Sequence, residues 1–362
     1  NYAWTVYNFR MPLIRFLRKN GFKVEVLTEF DGYEKKFINE VDGIHSLFIS
    51  RKGINPFVDL VTILDILIKL FSIKPDFLLL FSIKPVIYGS IAARFFSVPS
   101  ISMITGLGTG FLLDNWVTRL IKVLYRFALK GSATVFFQNS DDKNLFITHK
   151  LIQPEIAKQT PGSGVDLEKF YYRELDKKRE TTFLLIARML WDKGIGEYFD
   201  AAKILKNKHK NVNFQLLGPL GVLNRSSINE DIIFSWSKSG IIEYIPETDN
   251  IASYIQQSSC VVLPSYREGT SRVLLEAASI GRPIVASNVT GCKEIVEDGF
   301  NGYLCEVKNP TDLSKKMEKI ILTSYEDRLS MGRKGRRKME KEFDQRIVFN
   351  LYLQTINDLL ED

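Results

Sequence analysis

The sequence predicts an α/β protein with two doubly wound domains in series, each built on a mostly parallel sheet. Three observations lead to this fold class. Short β-rich runs alternate with helical patterns, which is the signature of βαβ units. Strands such as residues 183–187 are apolar throughout, as expected where helices cover both faces of a sheet. The alternation pauses at residues 160–166, a segment rich in Gly, Pro and Ser, and then starts again.

The first half of the chain alternates predicted strands and helices from its beginning. The strands are residues 22–28, 45–50, 76–81, 99–105 and 133–138. The helices are residues 9–20, 55–71, 85–96, 116–130 and 141–149. Because a helix opens the pattern, we expect the first strand of this domain to lie in a short segment that precedes residue 1.

The second half repeats this architecture. Its predicted strands are residues 181–187, 213–217, 241–244, 260–263 and 283–287. Its predicted helices are residues 195–207, 250–257 and 271–280, and the pattern is helical from about residue 308 onward. Two such domains would face each other across a cleft and bind ligands at the carboxyl ends of their strands.

Composition narrows the class of protein. With 45% hydrophobic and 25% charged residues in 362, a disordered chain or a small disulfide scaffold is excluded. No apolar run reaches the roughly 18 residues that span a bilayer. The three cysteines, Cys260, Cys292 and Cys305, cannot all pair internally, so we expect a reducing cytoplasm. No Asp-x-Asp pair is present to hold a divalent metal against a diphosphate, and we expect no metal site.

Basic residues concentrate in the first half of the chain. The net charge is +7, and residues 43–130 hold 10 Lys and Arg against 4 Asp and Glu. Such an excess indicates an anionic partner, which could be nucleic acid, a phospholipid surface or a phosphorylated lipid. A solvated, slightly basic face would give the same imbalance.

Two glutamates flank a turn that follows a predicted strand. Glu268 lies in the turn, and Glu276 follows about two helical turns later. Gly269, Thr270 and Ser271 begin the helix, where free amides and the positive end of the dipole can bind a phosphate. A carboxylate on each side could then accept hydrogen bonds from two sugars joined by that phosphate. The alternative is an exposed loop acid and a solvated helix residue.

A second candidate site follows the first strand of the second domain. Arg188 and Lys193 could clamp a diphosphate, the arginine through its planar fork and the lysine as a point charge. The alternative is two surface bases beside a helix start. Downstream, Glu294 could meet a sugar hydroxyl or cap a helix, whereas Cys292 is better interpreted as a small apolar filler.

A glycine-rich turn follows predicted strand 99–105. Thr105, Gly106 and Gly108 belong to a run in which glycine recurs at alternate positions, so that the backbone could approach a ligand closely. The alternative is a flexible turn. The spacing is not GxGxxG, and a dinucleotide fingerprint is therefore unsupported.

These motifs carry a resemblance to a known family. The pair Glu268-x₇-Glu276, with Arg188-x₄-Lys193 upstream, resembles the family-four retaining glycosyltransferases of GT-B fold. Residues 266–277, 281–283 and 291–294 are similar to the capsular and O-antigen subgroup, which includes bacterial N-acetylhexosaminyltransferases acting on undecaprenyl-diphosphate-linked sugars. In the first half, the residues that resemble this subgroup are Arg51, Asn55, Pro56, Phe57, Lys84 and Pro85.

The resemblance implies two Rossmann-like domains with different binding roles. Residues 1–165 would bind the acceptor and face the membrane, residues 166–344 would bind the donor nucleotide sugar, and a helix over 345–362 would cross back. Glu268 would bind the donor hexose, and Glu276 the ribose. Arg188 and Lys193 would hold the diphosphate. The other implied contacts are the amides of Gly269, Thr270 and Ser271 in the phosphate cradle, Tyr244, Ile245 and Pro246 as a loop near the base, and Lys84, Thr105, Gly106 and Gly108 on the acceptor side.

One departure from the family bears on mechanism. Many members carry a His where Thr105 and Gly106 stand here, so the sequence offers no obvious base or nucleophile near the anomeric carbon. The resemblance implies front-face retention, in which the leaving phosphate oxygen takes the acceptor's proton. Arg188, Lys193 and Glu268 would then act by positioning and electrostatic stabilisation.

Together these observations predict a cytoplasmic retaining glycosyltransferase at the inner face of the cell membrane. It would use a UDP-sugar, most simply a UDP-N-acetylhexosamine, and a lipid-diphosphate-linked saccharide, with no cofactor, metal or nucleic acid. The predicted membrane face lies in residues 43–130 and centres on four cations of one amphipathic helix, Arg119, Lys122, Arg126 and Lys130. The alternatives are a nucleotide-sugar epimerase of the same fold, a non-catalytic nucleotide-sugar-binding subunit and, less consistent with the motifs, a Rossmann oxidoreductase.

Overall fold

The computed structural model of the chain describes residues 2–50, 55–107, 116–177, 180–222 and 224–361. The chain forms two compact units. The first consists of Asn1–Ser163 with Val348–Asp362, and the second of Gly164–Ile347. The boundary between Ser163 and Gly164 falls inside the predicted linker, and the end of the chain belongs to the first unit.

The described strands of the first unit all pair in parallel, but they form two sheets. Strands β1 (Glu25–Thr28) and β2 (Gly43–Ser46) make one sheet. The other sheet has four strands in sequential order, β3 (Leu78–Phe81), β4 (Ser100–Ile104), β5 (Thr134–Phe137) and β6 (Ala157–Gln159). A cavity of about 470 Å³ is lined by residues of both β1 and β3. Among the described strands, β1 and β3 do not pair with each other.

Helices cover these strands. They are α1 (Ala3–Phe9), α2 (Met11–Lys19), α3 (Pro56–Ile73), α4 (Ile83–Phe95), α5 (Trp116–Leu129), α6 (Ser140–Thr148) and most of α13 (Gln345–Glu361). Asn55 begins α3, because its side chain accepts hydrogen bonds from the amides of Phe57 and Val58. Helix α13 packs its buried Phe349 and Tyr352 in one hydrophobic cluster with Phe136 of β5.

The second unit is a single six-stranded parallel sheet within its described residues. The strands are β7 (Thr181–Ile186), β8 (Val212–Leu217), β9 (Glu243–Ile245), β10 (Cys260–Leu263), β11 (Ile284–Ser287) and β12 (Gly302–Cys305), in the order β12-β11-β10-β7-β8-β9. The helices are α7 (Ile195–Lys208), α8 (Glu230–Lys238), α9 (Ile251–Gln257), α10 (Arg272–Ile280), α11 (Pro310–Leu322) and α12 (Tyr325–Lys338). Because the pairing is parallel, the loops that leave β7, β10 and β11 share one edge.

Several predicted elements need correction. The helix predicted over 9–20 is α2, which begins at Met11, and Pro12 lies in its first turn, where the backbone amide of an ordinary residue would have no partner within the helix. The strand predicted over 241–244 is Glu243–Ile245, because Tyr244 and Ile245 pair with Leu216 and Leu217. Sequence patterning missed β6 and β12, which have three and four residues, and also α1 and α8. Both missed strands lie at an edge of their sheets.

No helix among the described residues has both the length and the apolar character needed to cross a bilayer.

Candidate active site

Three loops of the second unit meet at the carboxyl edge of its sheet. They follow β7, β10 and β11, which are neighbours in the sheet. At Gly194, which has φ +71°, an added Cβ would lie 2.1 Å from the carbonyl oxygen of Pro264. Only glycine allows this approach. The carbonyl of Asp192 also accepts hydrogen bonds from the amide of Tyr266 (2.9 Å) and the hydroxyl of Ser265 (3.2 Å), so the first two loops are held together.

A charged pair joins the same two loops. Lys193 Nζ lies 2.5 Å from Glu268 Oε1, and the two side chains are only 21% and 14% exposed. The interpretation of Glu268 as an exposed loop acid is therefore wrong. In a partly desolvated pair, removing either partner would leave the other charge uncompensated. The sequence pattern expected both residues in one site, and the structure brings them into contact.

The loop after β11 fixes the backbone of Glu268. The amide of Glu268 donates to the carbonyl of Thr290 (3.2 Å). Gly291, at φ +83°, lies so close that an added Cβ would be 2.7 Å from the Glu268 carbonyl carbon. The Gly291 amide donates to Glu294 Oε2 (2.7 Å) within a turn, so Glu294 holds this loop rather than capping a helix. This loop therefore sets the position from which the Glu268 carboxylate reaches Lys193.

Arg188 lies on the same loop as Lys193 but differs in its surroundings. Its side chain is exposed and has no hydrogen bond or ion pair to any described residue. A guanidinium in this state can bind an anion without first breaking a protein contact. The predicted clamp thus contains one cation that is already paired and one that is not.

Helix α10 begins directly after the Glu268 loop. Ser271 is its N-cap, and the Ser271 hydroxyl accepts a hydrogen bond from the amide of Leu274 (3.5 Å). Gly269 and Thr270, which were predicted to begin the helix, precede the cap. The predicted use of the Ser271 amide in a phosphate cradle needs correction, because this amide donates to the carbonyl of Gly291 (3.1 Å). Ser271 thus positions the helix start rather than offering a free donor.

Glu276 is buried in the second turn of α10 and is not the solvated residue of the alternative interpretation. Its Oε1 lies 3.4 Å from Arg272 Nη2. Burial raises the pKa of the Glu276 carboxyl above its ordinary value, and the charges of Arg272 and Lys169 oppose this shift only in part. A buried carboxylate of this kind gains most from ligand hydroxyls that donate hydrogen bonds to it.

The residues predicted to lie near a nucleotide base are on another strand. Tyr244 and Ile245 belong to β9 rather than to a loop, and Pro246 follows the strand. The hydroxyl of Tyr244 donates to the carbonyl of Gly218 (2.9 Å), which follows β8. In the sheet order β9 is separated by β8 from β7, the strand that precedes Lys193.

The acceptor-side residues lie in the first unit. Lys84, in the first turn of α4, has its Nζ 2.8 Å from Oδ1 of Asp59 on α3, and both side chains are largely buried. Burial and a hydrogen bond to the Asp59 carboxylate raise the pKa of Tyr88. Thr105 and Gly106 follow β4, with Gly106 at φ +124°. Gly108 and Arg51 lie outside the described residues.

The predicted membrane helix is α5. Arg119, Arg126 and Lys130 are exposed, and Lys122 is half-buried. The guanidinium of Arg126 donates to the backbone carbonyls of Lys150 (3.1 Å) and His149 (3.0 Å). Arg126, one of the four cations predicted to face the membrane, is therefore already hydrogen-bonded within the protein.

Sequence reasoning missed a second layer of polar contacts. The hydroxyl of Ser226 donates to Asp192 Oδ1 (2.7 Å), and the hydroxyl of Tyr266 donates to Glu197 Oε1 (2.7 Å). Both contacts join segments that are distant in sequence, and no local motif indicates them. Burial also raises the pKa of Cys292, in agreement with an apolar filler. In the described parts of the chain, His, Cys, Asp and Glu form no cluster of three that could hold a metal ion.

Comparison with known proteins identifies the family. Residues 169–338 match the family described as glycosyl transferases group 1, and residues 1–139 match the family described as glycosyl transferase 4-like. The chain is a group 1 glycosyltransferase. The predicted GT-B fold is also confirmed: the chain superposes on Anabaena HepE, solved in complex with UDP, with a TM-score of 0.77 and 14% identity over 96% of this chain and 94% of that one.

Curated relatives of this glycosyltransferase belong to the subgroup that the motifs indicate. The chain is 28% identical to the N,N'-diacetylbacillosaminyl-diphospho-undecaprenol alpha-1,3-N-acetylgalactosaminyltransferase of Campylobacter jejuni, over 99% of this chain and 97% of the relative. It is 26% identical to the UDP-Gal:alpha-D-GlcNAc-diphosphoundecaprenol alpha-1,3-galactosyltransferase of Escherichia coli, over 74% of this chain and 72% of that protein. The match therefore extends over both units.

Proposed function

We propose that this glycosyltransferase moves an N-acetylhexosamine from a UDP-sugar to a lipid-diphosphate-linked saccharide, with retention at the anomeric carbon. The observation that carries the proposal is the Lys193–Glu268 pair beside the unpaired Arg188, at the carboxyl edge of the second sheet. The names of the Campylobacter and Escherichia relatives support this acceptor class, and the Escherichia name supports a UDP-linked donor.

The donor diphosphate would be neutralised by Arg188 and Lys193. Arg188 can approach its phosphates at no cost in protein contacts, because its guanidinium has no partner among the described residues. Lys193 would exchange the Glu268 carboxylate for a phosphate oxygen. Because both groups are partly desolvated, an unpaired Lys193 ammonium would be costly. The exchange avoids this cost, since the ammonium passes from a carboxylate to a phosphate oxygen.

The exchange would release Glu268 for the sugar. Its carboxylate would then accept hydrogen bonds from hydroxyls of the donor hexose, while its backbone stays held by Thr290 and Gly291. Glu276 would accept hydrogen bonds from the ribose hydroxyls, which compensates for its burial. The donor sugar and the nucleotide would thus each be bound by one carboxylate, Glu268 before the start of α10 and Glu276 after it.

In the transfer step, the bond between the anomeric carbon and the diphosphate oxygen breaks, and the acceptor oxygen bonds to that carbon from the same face. The acceptor's proton passes to the departing diphosphate oxygen, so UDP leaves. No protein base is required, and the contribution of the chain is to position the reactants and to stabilise the charge on the diphosphate. This route needs neither a cofactor nor a metal ion.

The basic surface of residues 43–130 would bring the enzyme to the inner face of the cell membrane, where a lipid-linked acceptor lies. Each exposed Lys or Arg near an anionic bilayer contributes about 1 kcal/mol. Arg119 on α5 and Lys130 directly after it are exposed and suited to this role. Peripheral binding would serve to supply the acceptor rather than to complete the donor site.

A transfer assay tests the proposal. The purified protein is incubated without added metal with UDP-GalNAc, UDP-GlcNAc or UDP-Gal and with synthetic undecaprenyl-diphosphate-linked saccharides, and lipid products are resolved by mass spectrometry. We expect one UDP-sugar to yield a lipid product longer by one sugar, with an α linkage by NMR. Glu276→Gln should reduce the rate at limiting donor concentration.

Three outcomes would contradict the proposal. A β-linked product would rule out retention. Conversion of the UDP-sugar to an isomer without acceptor would favour the epimerase alternative. Binding of UDP-sugars with no turnover of any acceptor in the panel would favour a non-catalytic subunit.

A further inference from the structure

Helix α3 exposes a continuous apolar face to solvent. The spacing of three or four residues places its members on one side of the helix. They are Phe57, Leu60, Val61, Leu64, Ile68 and Phe71, each about half to four-fifths exposed, with Phe57 at 82%. At 1.5 Å per residue this row runs for about 20 Å. An apolar patch of this extent on a protein surface marks an interaction site.

The opposite side of α3 is already buried against the first unit. Thr62, Ile66 and Leu70 face the protein. The acidic residues of the helix are engaged elsewhere, since Asp59 pairs with Lys84 and Asp65 Oδ2 accepts a hydrogen bond from the amide of Phe48 (2.9 Å). The helix is thus apolar both on the side that packs against the protein and on the side that faces solvent. Such a helix is usually covered on its second side as well, by protein or by lipid.

The apolar surface continues beyond the end of α3. The ring of Phe71 lies 6.4 Å from that of Phe96, which in turn lies 5.2 Å from the exposed ring of Phe95. The guanidinium of Arg94 stacks over the ring of Phe127 on α5 at 4.8 Å. The ends of α3, α4 and α5 therefore form one aromatic cluster with a cation in it.

A groove opens beside the exposed row of α3. Its volume is about 570 Å³, and Phe48, Val61, Leu64 and Ile68 are among its lining residues. It follows the carboxyl ends of β1 and β2. The groove extends the apolar surface from the helix toward the edge of the sheet.

We propose that the exposed face of α3 inserts into the hydrocarbon region of an anionic phospholipid bilayer. Lys74, Arg94 and Lys130, which are exposed near the ends of the three helices, would lie at the level of the lipid phosphates. The biological purpose of this anchor rests on the proposed lipid-linked acceptor. The anchor adds an apolar signal to the basic surface, and stable peripheral attachment usually takes two such signals.

Charge favours a bilayer over a second copy of the chain. Residues 43–130 hold 10 basic and 4 acidic residues, and two acidic residues of α3 are bonded within the protein. Two copies packed through this face would bring the surrounding cations of both together. An anionic lipid surface supplies the opposite charge instead.

Fluorescent labelling tests the insertion directly. The native cysteines are all buried, so Phe57→Cys and Ile68→Cys can be labelled selectively with the environment-sensitive dye NBD. Leu322→Cys is the matched control, because Leu322 is an exposed apolar residue of the second unit. On adding phosphatidylglycerol vesicles, we expect brighter, blue-shifted emission at positions 57 and 68, quenched by doxyl-labelled lipids, and no change at 322.

A charge variant tests the energetic contribution. Ile68→Glu should weaken vesicle binding roughly tenfold or more, which corresponds to about 1.4 kcal/mol. Leu322→Glu is the control and should bind as the wild type does. The difference should persist near 0.5 M salt, where the Debye length is only about 4 Å and the basic surface is screened.

The outcomes separate this inference from the proposed function. Vesicle binding is measured without donor or acceptor, and transfer to a water-soluble, short-chain acceptor should be unchanged in Ile68→Glu. If the NBD emission at positions 57 and 68 did not change when vesicles were added, the proposed insertion would be wrong. A wild-type dimer in light scattering that Ile68→Glu converts to monomer without altering vesicle binding would also overturn it, because the face would then be a self-interface.

Discussion

Each unit of this glycosyltransferase contains a largely buried pair of lysine and carboxylate, and the two pairs differ in what surrounds them. Lys193 and Glu268 are 2.5 Å apart and sit on loops at the carboxyl edge of a sheet. Lys84 and Asp59 are 2.8 Å apart and join two packed helices, with Tyr88 also bonded to the carboxylate. The chemistry of the two pairs is the same.

The surroundings give the two pairs different roles. Near Lys193, glycines at positive φ bring the loops together, and Arg188 stands unpaired, so an anion can enter. Near Lys84, a second hydrogen-bonding group completes the pair, and helices hold both partners. We therefore expect the first pair to be exchanged during catalysis and the second to stabilise the fold. The prediction that Lys84 serves the acceptor would require the Asp59 contact to open.

The largest expected effect is on catalysis. Lys193→Ala should lower kcat about 10²–10³-fold, as expected for a preorganised group that stabilises the departing diphosphate. The free energy of unfolding should change far less, because the pair lies on loops. Steady-state transfer assays and urea titration measure both quantities. If Lys193→Ala turned over at a near-normal rate, or failed to fold, the Lys193 pair could not be assigned a catalytic role distinct from the structural role of the Lys84 pair.

The second effect is on stability. Asp59→Ala leaves Lys84 without its carboxylate and should lower the free energy of unfolding by about 3 kcal/mol. UDP affinity should stay at the wild-type value, since the change lies in the other unit. Urea titration gives the stability, and calorimetry gives the affinity. The double variant Asp59→Leu/Lys84→Met is the control and should recover much of the stability. A variant as stable as the wild type would refute a structural role.

A third change displaces the loop that carries Glu268. Gly291→Ala places a Cβ against the Glu268 backbone at a positive φ and should cost about 1–3 kcal/mol of strain. UDP-sugar affinity should fall with it, because the carboxylate is displaced. Gly299→Ala, also at positive φ but in open space, is the matched control for backbone strain alone. Equal donor affinities in the two variants would contradict the role given to Gly291.

The smallest effect concerns pH. Because burial raises the pKa of Glu276 in the folded state, folded protein binds more protons than unfolded protein just above the carboxyl's ordinary pKa of about 4.3. This group therefore lowers the free energy of unfolding as pH rises through that window. Glu276→Gln should remove the decline. Urea titrations at several pH values measure the difference, and parallel pH curves for the two proteins would be inconsistent with a raised pKa.

The sequence predicted the fold class and much of the candidate site, because both depend on local patterns. Apolar strands followed by turns and capped helices placed Arg188, Lys193, Glu268 and Ser271 at the start of helical segments on one sheet edge. Glu268 and Lys193 were expected in one site, and they are in contact.

What sequence reasoning missed depends on contacts between distant segments. No local pattern indicates that Ser271 donates its amide to Gly291, or that Asp59 holds Lys84. Strand β9 was predicted over 241–244 and therefore ended before Ile245, because the register of this strand is decided by its pairing with β8. The exposed apolar face of α3 could not be predicted either, because it depends on which side of the helix packs against the rest of the first unit. A helix that is apolar all round does not reveal which side the protein covers.

The central claim is that Lys193 binds the donor diphosphate while Glu268 binds the donor sugar. Calorimetric titration of wild type and Glu268→Gln with UDP and with the UDP-sugar that the transfer assay identifies tests it most directly. The account predicts that Glu268→Gln binds UDP at least as tightly as the wild type, because Lys193 no longer has to leave a carboxylate. It predicts that the extra affinity contributed by the sugar is lost. An equal loss of affinity for UDP and UDP-sugar would contradict the account.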